Sequence, residues 1–247
     1  MTIFDHLFVF IFGVIYPIVG FISFRRLLKR VEGGATINRA DLYRNTAINH
    51  WILFLVALLL WSYLARPWSA LGIEAVVDSW FFAALGLTIA GIVILLLQIR
   101  QVVSAGQTDL GKLRAQFGIL TLIVPQNGNE LTRFYLLSIT AGIVEELLWR
   151  GFMIWYLGQF MPLWAAAIVS TIGFGLAHAY QGLAHLPQIT LVGGAFAGLY
   201  LLSGSIWLPM LLHAAVDILQ GRLAYEVMHR SDSASTGLGK LSAEAAP

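Results

Sequence analysis

Long apolar runs alternate with short polar stretches along the whole chain. An apolar run of about 18 residues or more has the length of a helix that crosses a bilayer, and in hydrocarbon only helices and closed barrels satisfy their own backbone. The runs are far longer than the roughly 10-residue alternating segments of a barrel strand. The pattern predicts an all-α, polytopic transmembrane helix bundle of about seven spans, at roughly 3–24, 47–64, 79–99, 131–159, 163–184, 187–203 and 206–226. The fourth is long enough to tilt, or to break near Gly151. The stretch Phe117 to Val124 is apolar but too short to cross, and is expected as a surface or re-entrant segment.

Charge supports this layout. Only 11% of the 247 residues are charged and 58% are hydrophobic, against roughly 25% charged in soluble domains. Thirteen of the fifteen basic residues fall in 25–46, 100–133 and the C-terminal tail, which lie on one side of a seven-span bundle. That is the positive-inside pattern, with the N-terminus outside and the C-terminus cytoplasmic. The net charge of +2 therefore reports topology and not nucleic-acid binding. With no cysteine, disulfides and thiolate metal sites are excluded. The first apolar stretch has its basic cluster (Arg25, Arg26, Lys29, Arg30) after it, the reverse of a signal peptide. The expected organisation is three N-terminal spans with cytoplasmic loops over 1–130, a core over 131–226, and a disordered cytoplasmic tail over 227–247.

Against this apolar background, Arg133, Glu145, Glu146, Arg150, His178, His185, His213 and Asp217 stand out between Leu131 and Gln220. Arg133 and His185 are near helix ends; the other six fall within spans, where a charge costs a few kcal/mol and by default marks function. Glu145 and Glu146 are adjacent, about 100° apart around one helix. Arg150 follows Glu146 by four and shares its face, so an ion pair there would leave Glu145 free to point elsewhere. His213 and Asp217 are also four apart, and Asp217 is expected to fix the tautomer of His213. His178 follows Phe174 by four, with Gly173 and Gly175 permitting close helix approach.

Two acids and two imidazoles in one wet cavity can activate water. A Glu can act as general base, one His can position the water, and a His–Asp pair can stabilise an oxyanion. The same side chains could instead hold Zn²⁺; spacing does not separate these two. The bland reading is that Glu146–Arg150 is a structural ion pair and a lone membrane histidine a packing hydrogen bond. An adjacent Glu pair, two histidines and an Asp on three helices are harder to dismiss that way.

Three stretches carry a resemblance. Ala141-Gly-Ile-Val-Glu-Glu-Leu-Leu-Trp-Arg-Gly151 resembles the EExxxR motif of the CPBP family, which comprises CAAX prenyl proteases and bacteriocin-processing enzymes. Phe174-Gly-Leu-Ala-His178 resembles its FxxxH motif, and His213-Ala-Ala-Val-Asp217 its HxxxN/D motif. The resemblance covers roughly 131–222. It implies an intramembrane endopeptidase acting on a peptide or lipidated-protein substrate in a bacterial inner membrane, in contact with lipid and not nucleic acid. Glu145, Glu146, His178, His213 and Asp217 would be the catalytic set, with Glu145 activating water, His178 assisting, and His213 with Asp217 stabilising the oxyanion. Arg150 and Phe174 would support the site. The family is described both as metal-free and as holding one divalent metal such as Zn, which here would sit on Glu145, His178 and His213. Asp217 in place of Asn, and seven expected spans rather than eight, depart from the pattern. A proton-linked transporter and a non-catalytic immunity scaffold are the alternatives.

Overall fold

The computed structural model describes residues 1–74, 76–104 and 106–244, the side chains of 103, 107–109 and 231–244 excepted. Among the described residues every regular element is helical. Helix α1 (Ile3–Glu32) opens on a capping box in which Asp5 accepts from the Thr2 amide (2.7 Å). A π-helical turn, Ile11–Ile15, lies inside it, and it runs past the expected end at Phe24 through a basic turn whose Lys29 and Arg30 suit a helix C-terminus. Helix α2 (Arg39–Tyr63) starts eight residues before the expected span, because the Asn38 side chain accepts from the Asp41 amide and caps it there. Helix α3 (Ser79–Val103) is capped by Asp78. A short helix, α4 (Gln107–Phe117), and a 3₁₀ turn follow; the apolar stretch near residue 120 does not form a spanning helix.

Helix α5 is the axis of the molecule. It runs Gly128–Glu146, passes through a π-helical turn Leu147–Met153, and finishes at Ile154–Leu157. The chain thus does not break near Gly151 but widens by one turn, and all seven residues of that turn are buried. A turn buried on every side belongs in the middle of a bundle, while the earlier part of α5 exposes Leu136 and Ile139 at the surface. Phe8 and Phe12 of α1, Trp61 of α2, Phe174, and Met210 pack around it. Helix α6 (Leu163–Ala177) is shorter than the expected 163–184. The apolar run continues, but His178 leaves helical geometry and Gly182 takes φ +110°, a conformation open to glycine. Two 3₁₀ turns carry the chain into α7 (Leu186–Ser203). Helix α8 (Trp207–Glu244) packs chiefly on α5 and α3. It takes in most of the stretch read as a tail; residues 245–247 lie outside the described residues.

Four helical stretches, Ile3–Glu32, Arg39–Tyr63, Ser79–Val102 and Leu183–Ser203, are long and apolar enough to cross a membrane. Their outer faces expose large apolar side chains, among them Phe4, Phe10, Leu55, Leu59, Leu87, Ile94 and Leu191. Such continuous apolar exposure is tolerated when the solvent is lipid, and the chain is an integral membrane protein with an all-α bundle fold. The α5–α8 crossing is tightest at Gly142, where an added Cβ would lie 2.8 Å from both Cβ and N of Ala214 and 2.9 Å from the Met210 carbonyl. Two of those three atoms are backbone, so α8 itself must move. Gly142→Ala is expected to destabilise the detergent-solubilised protein by about 1–3 kcal/mol. An unfolding curve unchanged from wild type would show that the crossing is looser than described.

Candidate active site

Adjacent residues on a helix point about 100° apart, so the two glutamates of α5 address different neighbours. Glu146 turns into the interior and is fully buried. Its Oε1 accepts from Arg150 Nη1 (2.9 Å) and from His213 Nδ1 of α8 (2.7 Å). Arg150, also fully buried, donates its Nη2 to the Gly193 carbonyl of α7 (2.8 Å). Its guanidinium lies over the rings of Phe174 (4.3 Å to the centroid) and Phe196 (5.4 Å). A side chain at position 193 would meet the Phe174 ring at 2.7 Å and Arg150 at 3.1 Å, so glycine is what admits this contact. The His213 ring stacks on Phe196 at 4.8 Å. One carboxylate, one guanidinium and one imidazole thus tie together α5, α7 and α8.

Glu145 faces the other way. Its Oε1 lies 2.9 Å from Nε2 of His50, on α2, and its Oε2 lies 3.6 Å from Nε2 of His178. Both histidines use the same local device. The Nδ1 of His50 lies 2.8 Å from the Thr46 carbonyl, and the Nδ1 of His178 lies 2.8 Å from the Phe174 carbonyl, each four residues back. A carbonyl only accepts, so each Nδ1 carries the proton and each Nε2 is turned to the carboxylate. This gives the Phe174–His178 spacing a physical meaning: the ring of Phe174 packs on His178 (4.6 Å) while its backbone holds the tautomer. Tyr16 of α1 stands edge-on to His50, and Tyr180 lies beside His178.

The expected residues therefore form two neighbouring clusters. Glu145 meets His178, and Glu146 pairs with Arg150 as its spacing predicts. His213 differs from expectation. Its near partner is Glu146, while Asp217 stands 3.7 Å from Nε2 and is half-exposed, so Glu146 and not Asp217 fixes its tautomer. Glu145, His178 and His213, the set expected for a metal, are divided between the clusters. Among the described residues no three His, Asp or Glu side chains form a group able to hold an ion. The set expected for a metal is thus not assembled around one point.

His50 was not among the expected residues. It lies within a predicted span, so the rule that ionisable residues in spans mark function reaches it. Nothing in local spacing ties it to a glutamate 95 residues later.

Residues 127–219 match the family model of Rce1-like, type II CAAX prenyl endopeptidases. The match runs from the cap of α5 through Asp217, so it holds all three motifs, and the resemblance drawn from them is borne out. Over 80 residues the chain is 34% identical to "Putative membrane peptidase YdiL" of Bacillus subtilis (strain 168). That stretch is 32% of this chain and 32% of that protein, so the alignment spans about a third of the relative's length. No solved structure matches the chain.

Removing one partner of a buried ion pair strands the other charge, which costs about 3–5 kcal/mol. Arg150→Met is expected to lower stability by that order, and Glu146→Gln combined with Arg150→Met by less than the single change. Chemical unfolding in detergent measures both; equal losses in the single and double variants would contradict the coupling.

Proposed function

We propose that this chain is an intramembrane endopeptidase that hydrolyses a peptide bond with water activated by Glu145 and His178. The observation that carries this reading is the state of the Glu145 carboxylate. One oxygen is held by His50, and the other, buried and without a hydrogen-bond partner among the described residues, stands 3.6 Å from an imidazole nitrogen whose lone pair faces it. A water donating one proton to Glu145 Oε2 and the other to His178 Nε2 is polarised by both.

As the water oxygen attacks the scissile carbonyl, a C–O bond forms and Glu145 takes the water's proton. The C–N bond then breaks, and that proton passes to the departing amine, which leaves Glu145 ionised again. His213 is the group for the oxyanion. With Nδ1–H donating to Glu146, its Nε2 donates only as the imidazolium, and Glu146 and Asp217 are the counter-charges on either side. Glu146 and Arg150 hold His213 in place.

The substrate class that fits is a membrane-associated peptide cleaved near its C-terminus, of prenylated, CAAX-like type or another lipid-bearing kind. The matched family's description and the exposed apolar helix faces both favour a substrate that reaches the site from the bilayer. The basic segments keep the C-terminus cytoplasmic and the N-terminus outside, in a bacterial inner membrane.

Detergent-purified protein offered farnesylated and unmodified fluorogenic peptides tests the proposal. Glu145→Gln and His178→Ala are each expected to lower kcat by about 10²–10⁴-fold, the range of a lost general base. Turnover by wild type is expected to survive a chelator. A Glu145→Gln variant as active as wild type would overturn the assignment, and activity lost to the chelator and restored by Zn²⁺ would overturn its metal-free form.

A further inference from the structure

Resting on the endopeptidase reading, we infer that His50 is a positioning residue for the reaction: it pins one oxygen of the Glu145 carboxylate so that the other is aimed at His178. His50 lies outside the matched segment 127–219.

His50 Nδ1 donates to the Thr46 carbonyl, and its Nε2 is 2.9 Å from Glu145 Oε1. A carboxylate oxygen and an imidazole lone pair repel at that distance, so one proton sits between them. Glu145 acts as a base only while ionised, so that proton is on His50, whose Nε2–H donates to Oε1 and keeps it from turning toward water. A carboxylate free about its terminal torsion presents either oxygen; pinned at Oε1, it presents Oε2. His50 is itself fixed, buried with Tyr16 edge-on at 6.1 Å and its Nδ1 tied to the helix backbone. The pin comes from α2, so the first part of the chain supplies a part of the site that the motif-bearing helices lack. The other imidazole beside this carboxylate, His178, lies on Oε2 and not on Oε1.

The test compares His50→Leu with His50→Gln, whose amide can still donate to Oε1. Misplacing a reacting group by about 1 Å costs on the order of 100-fold, so His50→Leu is expected to lower kcat by about 100-fold with KM unchanged, and His50→Gln to stay within about tenfold of wild type. Wild-type kcat in His50→Leu overturns the inference while leaving the endopeptidase reading intact. Equal losses in both variants, or a loss seen only in KM, also overturn it. Wild type that cleaves no peptide, or Glu145→Gln that cleaves normally, removes the endopeptidase reading and this role with it. A second readout needs no turnover. In ¹⁵N-histidine-labelled protein, the resonances that vanish in His50→Gln belong to His50, and Glu145→Leu is expected to shift the Nε2 signal and spare Nδ1. An unmoved Nε2 signal overturns the pin even if both variants lose activity by misfolding.

Discussion

A guanidinium and a carboxylate, both wholly out of reach of solvent, meet an imidazole at the centre of this bundle, and the placement of the helices depends on that junction. In lipid, apolar side chains gain little by leaving one apolar surroundings for another, so close packing and polar contacts must hold helices together. Arg150 bonds Glu146 along α5 and reaches across to the Gly193 carbonyl, while Glu146 reaches His213. Small residues at the crossings, Gly142 against Ala214 and Gly193 against Phe174, let the backbones come near enough for these bonds to close. Stranding any of these charges is costly, so the network fixes α7 and α8 against α5.

With that junction fixed, the neighbouring residue acquires a different character. Glu145 is one step along the same helix, yet it faces two histidines from α2 and the end of α6 rather than a guanidinium. The Glu146 carboxylate lies between a guanidinium and an imidazole, both on its Oε1, and serves geometry. The Glu145 carboxylate lies between two imidazoles, its Oε2 turned to the Nε2 of His178, and is the one to which the proposal gives the chemistry. The π-helical turn that follows, Leu147–Met153, carries Arg150, and such turns often mark functional positions within helices.

Much of this was legible in the sequence. The apolar runs located the helices, because length and hydropathy are what the bilayer constrains, and the Glu146–Arg150 spacing foretold their pairing. The end of α6 was not legible: its apolar run continues to His185, and only the backbone at His178 and Gly182 shows that the helix stops. Spacing put His213 with Asp217, four residues away, but a shorter bond to a residue 67 positions earlier prevails. His50 was hidden for the same reason. Side chains that meet across a bundle leave no periodic trace in the chain, and the N-terminal helices, which carry no motif, supply both His50 and the Tyr16 beside it.

The division of labour between the two adjacent carboxylates is most directly tested by making the same isosteric change at each. Glu145→Gln and Glu146→Gln should be purified in parallel and measured for both thermal unfolding and peptide turnover. Glu145→Gln is expected to unfold close to wild type and turn over almost nothing, whereas Glu146→Gln is expected to unfold at a clearly lower temperature. The reverse pattern, with Glu145→Gln unstable but active and Glu146→Gln stable but inert, would contradict that division of labour.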